Sequence, residues 1–126
     1  MPLLLNLAHP LTPGQLASLH ELLGEFELLQ PGARQWDVDQ PFAPQIHTAL
    51  EELGISPERW QAGGIVVCLP TLHAAAAVML AALHGRMGHF PAVVRLRPVQ
   101  TELGTGFELA EIVNLDAVRR DARGTR

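Results

Sequence analysis

The hydrophobic and polar positions of the chain divide it into short apolar runs and longer stretches with helical spacing. Two short apolar runs, residues 65–69 and 92–96, are joined by an Ala-rich segment from residue 72 to residue 84. A connection of this length is typical of a βαβ unit, so the two strands are predicted to be parallel. Neither run alternates with polar residues in its first positions, as expected for strands that are covered on both faces.

The first 30 residues predict a second βαβ unit. Residues 3–7 form an apolar run, and residues 25–29 alternate at first, as an edge strand does. Between them, Thr12 and Gln15 have the spacing of a capping box, with Pro13 at the first helical position. A capped helix between two strands is therefore expected here.

The remaining patterns complete one sheet. Residues 41–53 have helical spacing, and residues 107–113 alternate as a last strand with Phe107, Leu109 and Glu111 on one side. The order β-α-β-α-β-α-β-β predicts an α/β fold, a Rossmann-like three-layer arrangement with a mostly parallel central sheet. Because no linker or repeat divides the sequence, residues 1–126 are predicted to form one domain.

Composition narrows the function classes. The formal net charge is -4, and all nine cationic residues are Arg. An acidic chain is a poor candidate for wrapping DNA, although helix N-termini and a few Arg can still bind a small anion. The single cysteine, Cys68, lies in a predicted buried strand and cannot form an internal disulfide. No apolar run reaches the ~20 residues of a membrane span and no basic leader is present, so a cytoplasmic protein without membrane contact is expected.

Several common catalytic patterns are absent from the sequence. Gly63 and Gly64 precede a strand and do not follow one, so they are not a dinucleotide fingerprint. No phosphate-binding loop with lysine, no zinc-type Cys and His spacing and no Gly-x-Ser-x-Gly elbow occurs. We therefore expect no cofactor and no metal.

Ligands of open parallel sheets gather at the carboxyl ends of the strands, and the loops there are the candidate binding region. The candidates in the loops after the first and the central strand are Asn6, His9, Pro10, Thr12, Pro70, Thr71, Leu72 and His73. Thr12 and Thr71 are each expected to cap the following helix, next to N–H groups that attract anions. The same residues are also what two simple capped turns require, so both interpretations stay open.

Two arginines are the third candidate feature. Arg95 and Arg97 are predicted to end the fourth strand, just before Pro98, and to point to one face. Their charges need either carboxylate partners or a bound phosphate, and the sequence favours neither.

The string at residues 84–91 has a cationic last helical turn, a Gly stop and a proline before the next strand. It is predicted to lie at the edge opposite the candidate site. We interpret it as a structural helix end or a subunit contact.

The opening string, residues 3–13, and the later strings, residues 84–91 and 93–98, resemble small CRISPR-associated accessory proteins of type III systems. These proteins are related in fold to the CARF domains. The resemblance implies binding of cyclic oligoadenylate, most of all cyclic tetra-adenylate. Because such a ring has two equivalent faces, two subunits can cover it, and we expect a homo-oligomer, either a closed dimer or a ligand-bridged stack or filament.

Sequestration of the ring is favoured over its cleavage, because lysine is absent and His9 is the only obvious base near the predicted edge. A metal-independent ring nuclease with His9 as acid and base, yielding linear di-adenylate, is the alternative. A protein interaction module without a small ligand is the third. The size of the ring, and whether Arg34 and Trp36 reach it, remain open.

Overall fold

The computed structural model describes residues 1–126 and contains five strands and five helices. The strands are β1 (Leu3–Asn6), β2 (Glu27–Leu29), β3 (Ile65–Cys68), β4 (Ala92–Thr101) and β5 (Gly104–Asn114). The helices are α1 (Pro13–Leu23), α2 (Phe42–Glu52), α3 (Pro57–Gln61), α4 (His73–Met87) and α5 (Leu115–Arg123). This element order confirms the predicted alternation and adds the short helix α3 and the C-terminal helix α5.

The sheet is mostly parallel, as predicted. Its strand order is β2-β1-β3-β4-β5, with β3 at the centre. Strand β1 pairs in parallel with both β2 and β3, and β3 pairs in parallel with β4. Only β4 and β5 pair antiparallel, as a hairpin. The chain is thus an α/β protein whose sheet is flanked by helices.

Alternate residues of the central strands supply two separate cores. On the face that we call the α4 face, Leu5 and Val67 pack with Trp60 of α3 and with α2 and α4. On the other, the α1 face, Leu4 and Val66 pack with Leu19 of α1. The burial of every residue of β1 and β3 explains why both strands lack polar alternation.

Helix α4 begins and ends later than the sequence predicted. Its N-cap is Leu72, which has no side-chain cap, and not Thr71. It continues past His84 to Met87, and Gly88 ends it in the left-handed conformation with φ 80°. Met87 is buried in the core, and burying a Met side chain contributes about 1.5–3 kcal/mol. That gain exceeds the ~1 kcal/mol cost of Gly85 inside the helix.

The β4–β5 hairpin extends beyond the parallel sheet. Strand β4 pairs with β3 only through Ala92 and Val93 but pairs with β5 as far as Thr101. The prediction that β4 ends at Pro98 is therefore wrong. We call the part beyond β3, residues 94–111, the arm. Pro98 is tolerated there because the arm has a free edge that needs no N–H donor.

The predicted alternation in β5 is wrong at Glu111, because a β-bulge interrupts the strand there. Opposite Arg95 and Leu96 the register shifts from Glu111 to Leu109, which leaves Ala110 unpaired. Phe107 and Leu109 therefore share the α1 face with Ile112 and not with Glu111. The bulge keeps a carboxylate off the apolar face and brings it to Arg95.

Candidate functional site

Two cavities lie side by side at the carboxyl edge of the parallel strands. The larger, about 480 Å³, opens on the α1 face between β1, β3 and the arm. The smaller, about 250 Å³, opens beside the loop that follows β2. Ala8, His9 and Thr71 line both cavities, so these three residues form a ridge between them.

The structure brings together seven of the ten predicted site residues. Those lining the two cavities are Asn6, His9, Pro10, Thr12, Pro70, Thr71 and Leu72. The other three, His73, Arg95 and Arg97, line neither cavity. The two loops converge because parallel neighbours β1 and β3 end at the same edge, with Asn6 in register with Cys68.

Asn6 is buried and its hydrogen bonds are directed into the protein. Its side-chain Nδ2 donates to the carbonyl of His9 at 2.9 Å and to Oε1 of Gln30 at 2.7 Å. Its Oδ1 accepts the N–H of Ala8 at 3.0 Å. Gln30 Oε1 also accepts the N–H of Leu11, so this amide pair holds the whole loop. Asn6 thus positions His9 at the ridge and has no N–H left for a ligand.

The N-terminus of α1 has its own cap, as the sequence predicted. Thr12 Oγ1 accepts the N–H of Gln15 at 3.2 Å, and Gln15 Oε1 accepts the N–H of Thr12 at 2.9 Å. Gln15 Nε2 also donates to the carbonyl of Phe107 at 3.0 Å, which ties the arm to α1. This helix end is consequently closed, and Gln15 and Phe107 were missed as lining residues because their contact spans the chain.

The N-terminus of α4 is open by contrast. Leu72 supplies no cap, and the first backbone bond of the helix runs from the N–H of Ala76 to the carbonyl of Leu72. The N–H groups of the first turn therefore lack an intrahelical acceptor. Thr71 is exposed beside them and makes no hydrogen bond through its hydroxyl. This end of α4 attracts anions through its free donors and its dipole.

Arg95 and Arg97 have carboxylate partners instead of facing the cavity. Arg95 pairs with Glu111 at 2.7 Å, and Arg97 pairs with Glu108 at 2.8 Å. Alternation along β4 places them on the face opposite Val94, which lines the larger cavity. The sequence left open whether these arginines pair with carboxylates or with a bound phosphate, and in the structure both pair with carboxylates.

The loop after β2 contributes an aromatic wall. Arg34 and Trp36 line the smaller cavity, and the Arg34 guanidinium lies 5.9 Å from the centre of the Trp36 ring. Arg34 also forms an ion pair with Glu52 of α2. Both residues thus lie at the same edge as Thr71. The position of this loop after a parallel strand was the signal that could have placed them there.

The ionisable groups of the two cavities are few. Burial raises the pKa of the Cys68 thiol from 9.0 to about 11, so Cys68 is a neutral thiol near pH 7. His9 is the only imidazole in the lining, and no carboxylate joins it. No group of three or more His, Cys, Asp or Glu residues is placed to hold a metal ion.

No helix is long and apolar enough to cross a bilayer. Compared with known proteins, the chain matches no protein-family profile, no curated protein and no solved structure.

Proposed function

We propose that the chain is a Rossmann-like, CARF-related domain that binds cyclic oligoadenylate at the carboxyl edge and sequesters it in type III CRISPR defence. Cyclic tetra-adenylate is the ligand we expect. The observation that carries this proposal is the open N-terminus of α4 between two cavities. The resemblance of the N-terminal and later strings to type III accessory proteins supports the choice of messenger.

The phosphates of the ring are the groups that suit the ridge. The free N–H groups of α4 would donate to phosphate oxygens, with the Thr71 hydroxyl and the His9 ring beside them. Helix-end donors recognise an anion without diffuse positive charge, which agrees with a net charge of -4.

The bases of the ring have two apolar walls available. Phe107 and Leu96 line the larger cavity, and Trp36 lines the smaller one. Stacking of a base on an aromatic side chain contributes about 1–3 kcal/mol. Two cavities on either side of a phosphate-binding ridge suit two adjacent nucleotides of a ring, and further nucleotides would contact a second copy. Two copies that use the same patch form a closed dimer, and different patches give a stack or filament.

Sequestration is the role that the side chains favour. Ring cleavage needs the ribose 2′-oxygen in line with the phosphate, a base for its proton and cations for the developing charge. The lining offers one imidazole, no carboxylate and one Arg that is already paired with Glu52. A binder of this kind lowers the free messenger concentration by mass action alone.

The sharpest test changes the N-cap of α4. Leu72→Asp would supply the missing cap and add a negative charge, so we expect cyclic tetra-adenylate affinity to fall roughly tenfold or more while the thermal midpoint is kept or rises. Leu72→Asn supplies a cap without charge and should weaken binding less. Calorimetric titration measures the affinity, and Thr48→Ala, at an exposed position of α2, is the control.

Three outcomes would contradict the proposal. Unchanged affinity in Leu72→Asp would place the ligand elsewhere, and absence of binding by the unaltered chain would favour an interaction module. Chromatography of the ligand after incubation and heating should return the intact ring. Linear di-adenylate, lost in His9→Ala and kept in His47→Ala, would replace sequestration with ring cleavage.

A further inference from the structure

A polar cleft lies at the opposite edge of the sheet from the candidate site. It is formed where α4 ends before β4 and where α5 begins after β5, and we call it the α4–α5 cleft. Its volume is about 270 Å³, and none of its lining residues is hydrophobic. The lining residues are His84, Gly88, His89, Asp116, Arg119 and Arg120. The proposed sequestration uses none of them.

The cleft has an excess of cationic groups. Arg119 and Arg120 have no carboxylate within 4.0 Å, whereas four other arginines form the salt bridges of the molecule. The one carboxylate of the lining, Asp116, pairs with neither arginine, and its Oδ1 accepts the N–H of Phe90 at 3.1 Å. Two imidazoles complete the lining and can each donate a ring N–H. In an acidic chain, this concentration of unpaired cations indicates an anion-binding site.

The walls of the cleft are held in place by contacts between its lining residues and their neighbours. The bond from Phe90, in the segment after α4, to Asp116 joins this segment to the first turn of α5, and the centres of the Phe90 and His84 rings are 4.3 Å apart. Asn114 caps α5 by accepting the N–H of Ala117 at 3.1 Å. The cationic groups therefore extend from fixed backbone, which lowers the ordering cost of binding.

We propose that the α4–α5 cleft binds a phosphate group. Guanidinium groups donate in a fork that matches phosphate oxygens, and imidazole N–H groups add single donors. The volume is below the 300–1,000 Å³ typical of sites for drug-sized ligands, and no apolar wall is present to bind a base or acyl chain. The ligand is thus a phosphate anion or the phosphate end of a small molecule. This proposal does not depend on the proposed function.

The test uses the full chain, labelled with ¹⁵N and titrated with inorganic phosphate against chloride at constant ionic strength. We expect saturable shifts of the Gly88 and His89 amides and of the Arg119 and Arg120 side-chain N–H signals. The double variant Arg119→Gln/Arg120→Gln should weaken phosphate binding roughly ten- to a hundredfold. The double variant Arg123→Gln/Arg126→Gln removes two exposed cations outside the lining and should bind as the unaltered chain does.

Equal loss of binding in the two double variants would overturn the proposal, because it would show a general charge effect. Shifts that chloride reproduces would overturn it as well. Glycerol 3-phosphate compared with inorganic phosphate separates the two sources of the group: tighter binding of glycerol 3-phosphate indicates the phosphate end of a small molecule, and equal or weaker binding indicates the free anion. A preserved far-UV circular dichroism spectrum shows that each variant is folded.

Discussion

The parallel centre of the sheet and the antiparallel arm differ in sequence and in how they are covered: β1 and β3 are runs of apolar residues, whereas apolar and charged residues mix along the arm. Strands β1 and β3 are buried over their whole length, with helices on both faces. The arm has one polar face with two ion pairs and one apolar face that lines the larger cavity. Phe107 in the arm is 57% exposed, whereas Leu5 in β1 is fully buried. The centre is therefore a buried core, whereas the arm is partly exposed and lines the larger cavity.

The comparison predicts its largest effect at Leu5. Leu5→Ala should lower the free energy of unfolding by about 2–5 kcal/mol, because it leaves a cavity among residues that cannot collapse into it. Denaturant unfolding measures the loss. Phe107→Ala, at an exposed position, should cost less than ~1 kcal/mol. Similar losses in the two variants would mean that the arm is part of the core.

The dependence of stability on pH tests how deeply Cys68 is buried in the parallel centre of the sheet. Burial raises the thiol pKa from 9.0 to about 11, so the folded state holds its proton more tightly than the unfolded state does. This stabilisation is complete below pH 9 and is lost as pH rises towards 11, by at most about 2–3 kcal/mol. In Cys68→Val, the free energy of unfolding should fall less steeply with pH above 9 than it does in the unaltered chain. The same dependence of the free energy of unfolding on pH in both proteins would show that water reaches the thiol.

Gln15 connects the two regions, because it caps α1 and bonds to Phe107 of the arm. Gln15→Ala should lower the free energy of unfolding by about 1–2 kcal/mol and increase hydrogen exchange in the arm more than in β1. Hydrogen exchange detected by mass spectrometry separates the regions. Gln45→Ala, which affects exposed loop bonds only, is the matched control. Uniform exchange in both variants would contradict the connection.

The polar face of the arm predicts the smallest effect. Arg95 and Glu111 are both about half exposed, so their pair should contribute only about 0–1 kcal/mol and weaken with salt. A double-mutant cycle with Arg95→Ala and Glu111→Ala measures this coupling. The same variants should leave cyclic tetra-adenylate affinity unchanged, because the pair is on the face opposite the larger cavity. A loss of cyclic tetra-adenylate affinity in Arg95→Ala would show that Arg95 contributes to the binding site.

Local features decided which parts could be predicted from the sequence. The capping box of Thr12 and Gln15 lies within one helical turn, and the apolar runs that became β1 and β3 needed no distant partner to be recognised. The eight candidate residues of the loops after β1 and β3 were expected at one edge because parallel strands share their direction, and seven of them line the cavities there. The predicted cap at Thr71 was wrong, since α4 begins at His73 and its N-cap is Leu72, one residue after Thr71.

By itself the sequence determined the element types, the parallel direction of the first four strands and the burial of Cys68, because each follows from local periodicity and crossover length. Tertiary structure decided which charges met. The bulge at Ala110 places Glu111 opposite Arg95, where the two form an ion pair. The loop after β2 places Trp36 in the same cavity lining as Thr71. Packing of Met87 in the core also accounts for the extension of α4 beyond the predicted end. The hydrogen bond from Phe90 to Asp116 joins the two sides of the α4–α5 cleft. These contacts join residues far apart in the chain, and their register depends on how whole elements pack, which no local pattern encodes.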